Sequence, residues 1–101
     1  MPPMIPPPHP GETIREDILE PLGMSVNQLA KCLGITTARL NEIVRGRRGI
    51  TADTALRLAR YLGNSPEFWM RLQLDYELRL AKAASLKAIE RAVKPRTRHA
   101  A

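Results

Sequence analysis

One cysteine, two histidines and no long apolar run set the first limits on this 101-residue chain. With Cys32 alone, no intramolecular disulfide can form, which makes a reducing cytoplasm the easier home; Cys32 itself reads as a small helix residue. His9 and His99 fall in a proline-rich leader and a basic tail, so neither is expected on a rigid element that would hold it beside a nucleophile or a metal. No metal-ligand or phosphate-loop spacing occurs, and the carboxylates are scattered over helix-surface positions. No catalytic residue, metal ligand or cofactor is therefore expected. No stretch approaches the roughly 18 apolar residues of a membrane span, and residues 1–10 lack the basic start and apolar middle of a secretory signal. The expectation is a soluble, cytoplasmic chain that is not an enzyme and has no membrane partner.

The most informative stretch runs from Ser25 to Gly46 and reads as two short amphipathic helices hinged at Gly34. Ser25 caps the first, and Gln28, three residues on, reaches back to the capping amide. Val26, Leu29, Ala30 and Leu33 recur at helical spacing, with Asn27, Gln28 and Lys31 on the other face. Gly34 ends the helix, because glycine accepts the left-handed backbone of a tight turn. Thr36 caps the second helix, Leu40, Ile43 and Val44 form its inner stripe, and Gly46 terminates it. Small side chains at the start of a second helix suit major-groove docking, since bulk there would hold the helix off the base edges. The candidate DNA-binding set is Gln28, Thr36, Thr37, Ala38, Arg39, Asn41, Glu42, Arg45, Arg47 and Arg48. Thr37, Ala38, Asn41 and also Arg39 and Glu42 are candidates for discrimination, and Arg45, Arg47 and Arg48 for backbone contacts. An αα-hairpin with a merely solvated face has the same periodicity.

Charge supports a polyanionic partner. Sixteen Lys and Arg against ten Asp and Glu give a formal charge of +6. Six arginines lie between residues 39 and 60 against Glu42 and Asp53, whereas residues 1–20 hold Arg15 against Glu12, Glu16, Asp17 and Glu20. Arg57 and Arg60 lie off the apolar stripe of their helix and read as solvated surface charges.

Around the hairpin the chain reads as all-helical. Six of its nine prolines fall in residues 1–10, an extended polyproline arm. A first helix spans about Gly11 to Glu20 with Ile14, Ile18 and Leu19 inward, and Pro21 and Gly23 break it. Thr51 caps a fourth helix with Ala52, Ala55, Leu56, Ala59 and Leu62 inward, and Ser65 with Pro66 opens a fifth. On that fifth helix Phe68, Trp69, Leu72, Tyr76 and Leu80 share one flank, while Met70, Leu74, Leu78 and Ala81 share nearly the opposite one. The first flank can serve the core. The second is expected to join two copies about a two-fold axis, the alternative being that Leu86, Ile89 and Val93 fold back over it. Pro95 stops the last helix, leaving a loose basic tail.

The hinge spacing of Ala30, Gly34, Leu40 and Ile43, together with His9-Pro-Gly-Glu12, Leu19-Glu-Pro-Leu-Gly23, the run from Ile43 to Arg60 and Ser65-Pro-Glu-Phe-Trp69, resembles the HigA branch, also called VapI, of the lambda-repressor-like or Xre-type helix-turn-helix family. The resemblance covers residues 9 to 78. It implies a five-helix lambda-repressor-like DNA-binding domain over residues 11–83, its helix-turn-helix at 25–46, with the arm before it and a helical extension and basic tail over 84–101. It further implies an antitoxin that acts as a dimer on a palindromic operator in double-stranded DNA, represses its own operon and neutralises a HigB-type toxin that cleaves messenger RNA. A stand-alone Xre-type regulator with no toxin is the other reading. If a basic toxin binds, the acidic first helix, with Glu12, Glu16, Asp17 and Glu20, is the expected docking surface.

Overall fold

The computed structural model describes residues 8–97, and among them it contains five helices and no strand. Helix α1 is continuous over residues 10–22 and is followed by α2 (Val26–Leu33), α3 (Thr37–Val44), α4 (Ala52–Leu62) and α5 (Pro66–Ala92). His99 and the first seven residues of the proline arm lie outside the described residues.

Capping sets each boundary. Ser25 accepts from the Gln28 amide at 3.1 Å while Gln28 accepts from the Ser25 amide at 2.8 Å, the reciprocal box anticipated above. Thr36, Thr51 and Ser65 each accept an amide from the first turn of the helix they open. Helix α1 departs from expectation because Pro21 does not break it. Its middle, Ile14–Leu19, is wound as a π-helix in which the Glu20 N–H donates to the Arg15 carbonyl, five residues back. That widened turn spares the carbonyl clash that proline causes in a regular α-helix, so the helix runs on to Leu22.

The core draws on every helix: Ile14 and Leu19 from α1, Leu29, Ala30 and Leu33 from α2, Leu40 and Ile43 from α3, Ala55 and Leu58 from α4, and Trp69 from α5. Trp69 is wholly enclosed, and its indole N–H donates to Asn64 Oδ1 at 2.9 Å; truncating it to alanine costs about 3–5 kcal/mol. Gly11 lets α1 lie directly against the backbone of α3. A Cβ there would land on the Ile43 carbonyl oxygen and within 3.0 Å of Val44 Cα.

Two expectations on the apolar faces need correction, and one alternative is ruled out. On α4 the inward residues are Thr54, Ala55, Leu58 and Ala59, whereas Leu56 is 60% exposed and Ala52 is also exposed. The helix is turned so that buried Thr54 hydrogen-bonds rather than Leu56 packing. On α5, Phe68 and Leu80 are exposed, and the flank facing the core is Trp69, Leu72, Gln73 and Tyr76. Buried Gln73 is tolerated there because its Oε1 accepts the Ile50 amide at 2.8 Å. The fold-back does not occur: α5 continues unbroken to Ala92, with Leu86, Ile89 and Val93 exposed. Residues 77–92 are all exposed, a four-turn projection with no partner among the described residues.

His9 also differs from the loose-arm expectation. It is buried as the N-cap of α1, its Nδ1 accepting the Gly11 amide at 2.9 Å, and its ring meets Tyr76 edge-on at 4.8 Å. It therefore ties the start of α1 to α5. Loss of water around the ring lowers its pKa from the ordinary value, partly offset by the Glu12 carboxylate.

Candidate nucleic-acid interface

Helix α3 is held on two sides and open on the third. Its inner residues Leu40 and Ile43 are fully buried against α1 and α2, and Ala30 lets α2 approach closely. Gly34 turns the chain at φ 70°, which only glycine adopts cheaply. What remains outward is the start of α3: Thr36, Thr37 and Ala38 are exposed, as is Gln28 on the adjoining turn of α2. Gln28 is already engaged in the capping box through its Oε1.

The candidate residues divide by what else they touch. The Thr37 hydroxyl donates to Asn27 Oδ1 at 2.6 Å, so Asn27 joins the outward face and fixes the rotamer of Thr37. Asn27 is missing from the sequence-based set, although its outward position on α2 is visible in the periodicity. Asn41 and Glu42 are half-buried. Arg39 does not project from the face: its guanidinium turns back onto α4, donating to Thr54 Oγ1 at 2.7 Å and pairing with Asp53 at 3.1 Å. Of the expected base-reading residues, Arg39 is thus the one held by α4.

The arginines after α3 are placed by its last turn. The Glu42 carbonyl accepts the amides of both Arg47 and Arg48, at 2.9 and 3.2 Å, and folds the chain back after Gly46. Arg45, Arg47 and Arg48 are exposed. Arg47 makes a loose 3.7 Å pair with Glu42, worth little at the surface, and so keeps its charge available. Arg57 is not a merely solvated charge. It donates to the Leu33 and Gly34 carbonyls at 2.9 and 3.2 Å and to Asp53 at 2.9 Å.

The other candidate surfaces lie elsewhere. Met70, Leu74, Leu78 and Ala81 are exposed on α5, and a shallow groove there is lined by Glu67, Met70, Arg71 and Leu74. Glu12, Glu16, Asp17 and Glu20 are exposed on α1, with Glu16 paired to Arg15 at 3.4 Å.

Comparison with known proteins agrees with this geometry. A family profile described as Helix-turn-helix matches residues 16–69. Virulence-associated protein I of Dichelobacter nodosus is 53% identical over 74 residues, covering 73% of this chain and 68% of that protein. Two solved structures superpose closely. An addiction module antidote protein of a HigA family from Coxiella burnetii has 49% identity and a TM-score of 0.85 over 90% of this chain and 99% of that one. The Pseudomonas aeruginosa antitoxin HigA, solved with the higBA promoter, has 44% identity and a TM-score of 0.86 over the same shares.

Proposed function

The chain belongs to the Xre-type helix-turn-helix family, in its HigA and VapI branch, and from that premise we propose that it is a DNA-binding antitoxin that represses its own toxin-antitoxin operon. The observation that carries this reading is the outward, uncrowded start of α3 followed by exposed arginines, in a chain that superposes on a HigA antitoxin solved with promoter DNA.

In this reading α3 enters the major groove. Thr37, Ala38, Asn41 and Glu42, beside Asn27 and with Thr36 and Gln28 at the groove margin, discriminate bases, and Arg45, Arg47 and Arg48 hold phosphates. Two copies pair through Met70, Leu74, Leu78 and Ala81, which covers an exposed apolar flank of α5 that no described residue of the same chain covers. The exposed apolar residues Leu78, Leu80, Leu86 and Ile89 within residues 77–92 favour a partner there. The two-fold axis then requires an inverted-repeat operator. A HigB-type toxin, basic in charge, docks on the acidic outer face of α1 through Glu12, Glu16, Asp17 and Glu20. The work is done in the cytoplasm; none of the described helices is long and apolar enough to cross a membrane.

Two measurements on one strain test the reading. A reporter driven by the promoter upstream of the gene is repressed by the intact chain, and the product of the neighbouring gene co-purifies with it. Repression without a bound partner would leave a stand-alone regulator; an unrepressed reporter would remove the operator role.

A further inference from the structure

Arg39, Asp53 and Arg57 form one linked device. A single carboxylate oxygen, Asp53 Oδ2, receives Arg57 Nε at 2.9 Å and Arg39 at 3.1 Å. From that shared point Arg57 reaches one way, to the Leu33 and Gly34 carbonyls at the hinge between α2 and α3. Arg39 belongs to α3 itself and is additionally bound to Thr54, a fully buried residue of α4. Helix α4 therefore grips the recognition helix and its hinge through adjacent residues of its own first turns.

Resting on the DNA-reading role proposed above, we propose that Arg39, Asp53 and Arg57 are positioning residues for sequence readout, which set the angle of α3 against α2 without touching the nucleic acid. The Leu33 and Gly34 carbonyls end a helix and have no intrahelical partner, so a cation there satisfies them and complements the helix dipole. Asp53 lies in the first turn of α4, where a negative charge is favoured. Its carboxyl is held below the usual carboxylate range by Arg57 first and Arg39 second. Since the ion pairs are half-exposed, they add little to global stability. Their effect falls on geometry, and base-edge hydrogen bonds need placement to within about 0.5 Å.

The test uses the full chain, an operator duplex and a random duplex of equal length, titrated across a salt series, with folding followed by circular dichroism. Arg57→Met keeps the aliphatic stem and removes the donors. It is expected to lower operator affinity about tenfold while leaving random-duplex affinity and the salt slope unchanged, as loss of charge-assisted hydrogen bonds outside the DNA contact would do. Arg57→Lys recovers part of the loss. Asp53→Asn reduces the operator-to-random ratio similarly, and combining it with Arg57→Met adds little, because both cut the same link. An unchanged ratio in the folded Arg57→Met protein overturns the inference, as does a fall in salt slope of about 0.9, which marks a direct phosphate contact. If Arg57→Met does not fold, Asp53→Asn decides alone on the same two criteria. Failure of the unsubstituted chain to prefer its operator is a separate result, visible before any substitution, and removes the DNA-reading role itself.

Discussion

Substituting Gly11 by alanine tests the packing that places the recognition helix, because local and tertiary rules give opposite signs. Gly11 lies in the first turn of α1, and replacing a helical glycine with alanine in a solvated helix stabilises by up to about 1 kcal/mol. Here the added methyl would sit on the Ile43 carbonyl oxygen, 2.9 Å from its carbon and 3.0 Å from Val44 Cα. These atoms are backbone in the last turn of α3 and cannot swing aside as a side chain would. Overpacking of this kind costs about 1–3 kcal/mol, and a backbone obstacle places Gly11→Ala at the upper end. After the propensity gain the net loss is about 2 kcal/mol, a fall in melting temperature of roughly 8–16 °C for a domain of this size. The assay is thermal unfolding followed by Trp69 fluorescence and circular dichroism, at one fixed protein concentration because pairing would couple stability to it. Operator affinity, measured well below the melting transition, falls as well, since Ile43 and Val44 move with the rest of α3. A variant as stable as the parent, or more so, would refute the close α1–α3 contact.

Four further outcomes follow from the same geometry. Arg47→Ala weakens binding to operator and random duplexes alike and lowers the salt slope by about 0.9, read from filter binding across a salt series; a changed base preference instead would move Arg47 into the reading face. His9 holds its proton less readily folded than unfolded, so stability is complete above about pH 6.5 and is lost as pH falls through that value toward the lowered folded pKa. His9→Asn keeps a capping acceptor without the titration, and its melting temperature is flat where the parent's declines as pH falls below about 6.5; parallel curves would count against the buried cap. Leu74→Lys, at a position 56% exposed, converts dimer to monomer in light scattering and costs helicity in the unsupported end of α5, while the domain's own stability changes by no more than about 0.5 kcal/mol. Unchanged mass would place the pairing surface elsewhere.

Much of this molecule is legible in its sequence. Ser25, Thr36, Thr51 and Ser65 cap helices as their side-chain chemistry demands, and Gly34 and Gly46 turn the chain where no other residue does so cheaply. The exposed flank Met70, Leu74, Leu78 followed from angular spacing alone. What escaped was decided by tertiary context. Leu56 and Leu58 lie two residues apart on α4, and which of them is buried depends on a helix rotation that Thr54 fixes by hydrogen bonding within the core. Pro21 looked like a terminus because the π-wound turn preceding it has no strong sequence signature. Arg39 and Arg57 are long, flexible cations: the Asp53–Arg57 pair has helical i,i+4 spacing, but the reach of Arg39 to Asp53 and of Arg57 to the Leu33 carbonyl at the hinge spans 14 and 24 residues and is set by the assembled fold. His9 looked loose because its capping bond and the Tyr76 ring are contributed by the assembled fold.

The central claim is that the start of α3 reads duplex DNA as one half of a symmetric pair. Selection from a pool of random duplexes by the purified full chain, at moderate salt and with sequencing of the retained fraction, tests it most directly. The predicted outcome is two inversely related half-sites whose centres are separated by about one helical turn, 10–10.5 base pairs, or a multiple of it, with the enrichment abolished when Thr37 and Ala38 are replaced by bulky side chains. A retained pool with no common motif, or no duplex retained even at low ionic strength, would contradict it.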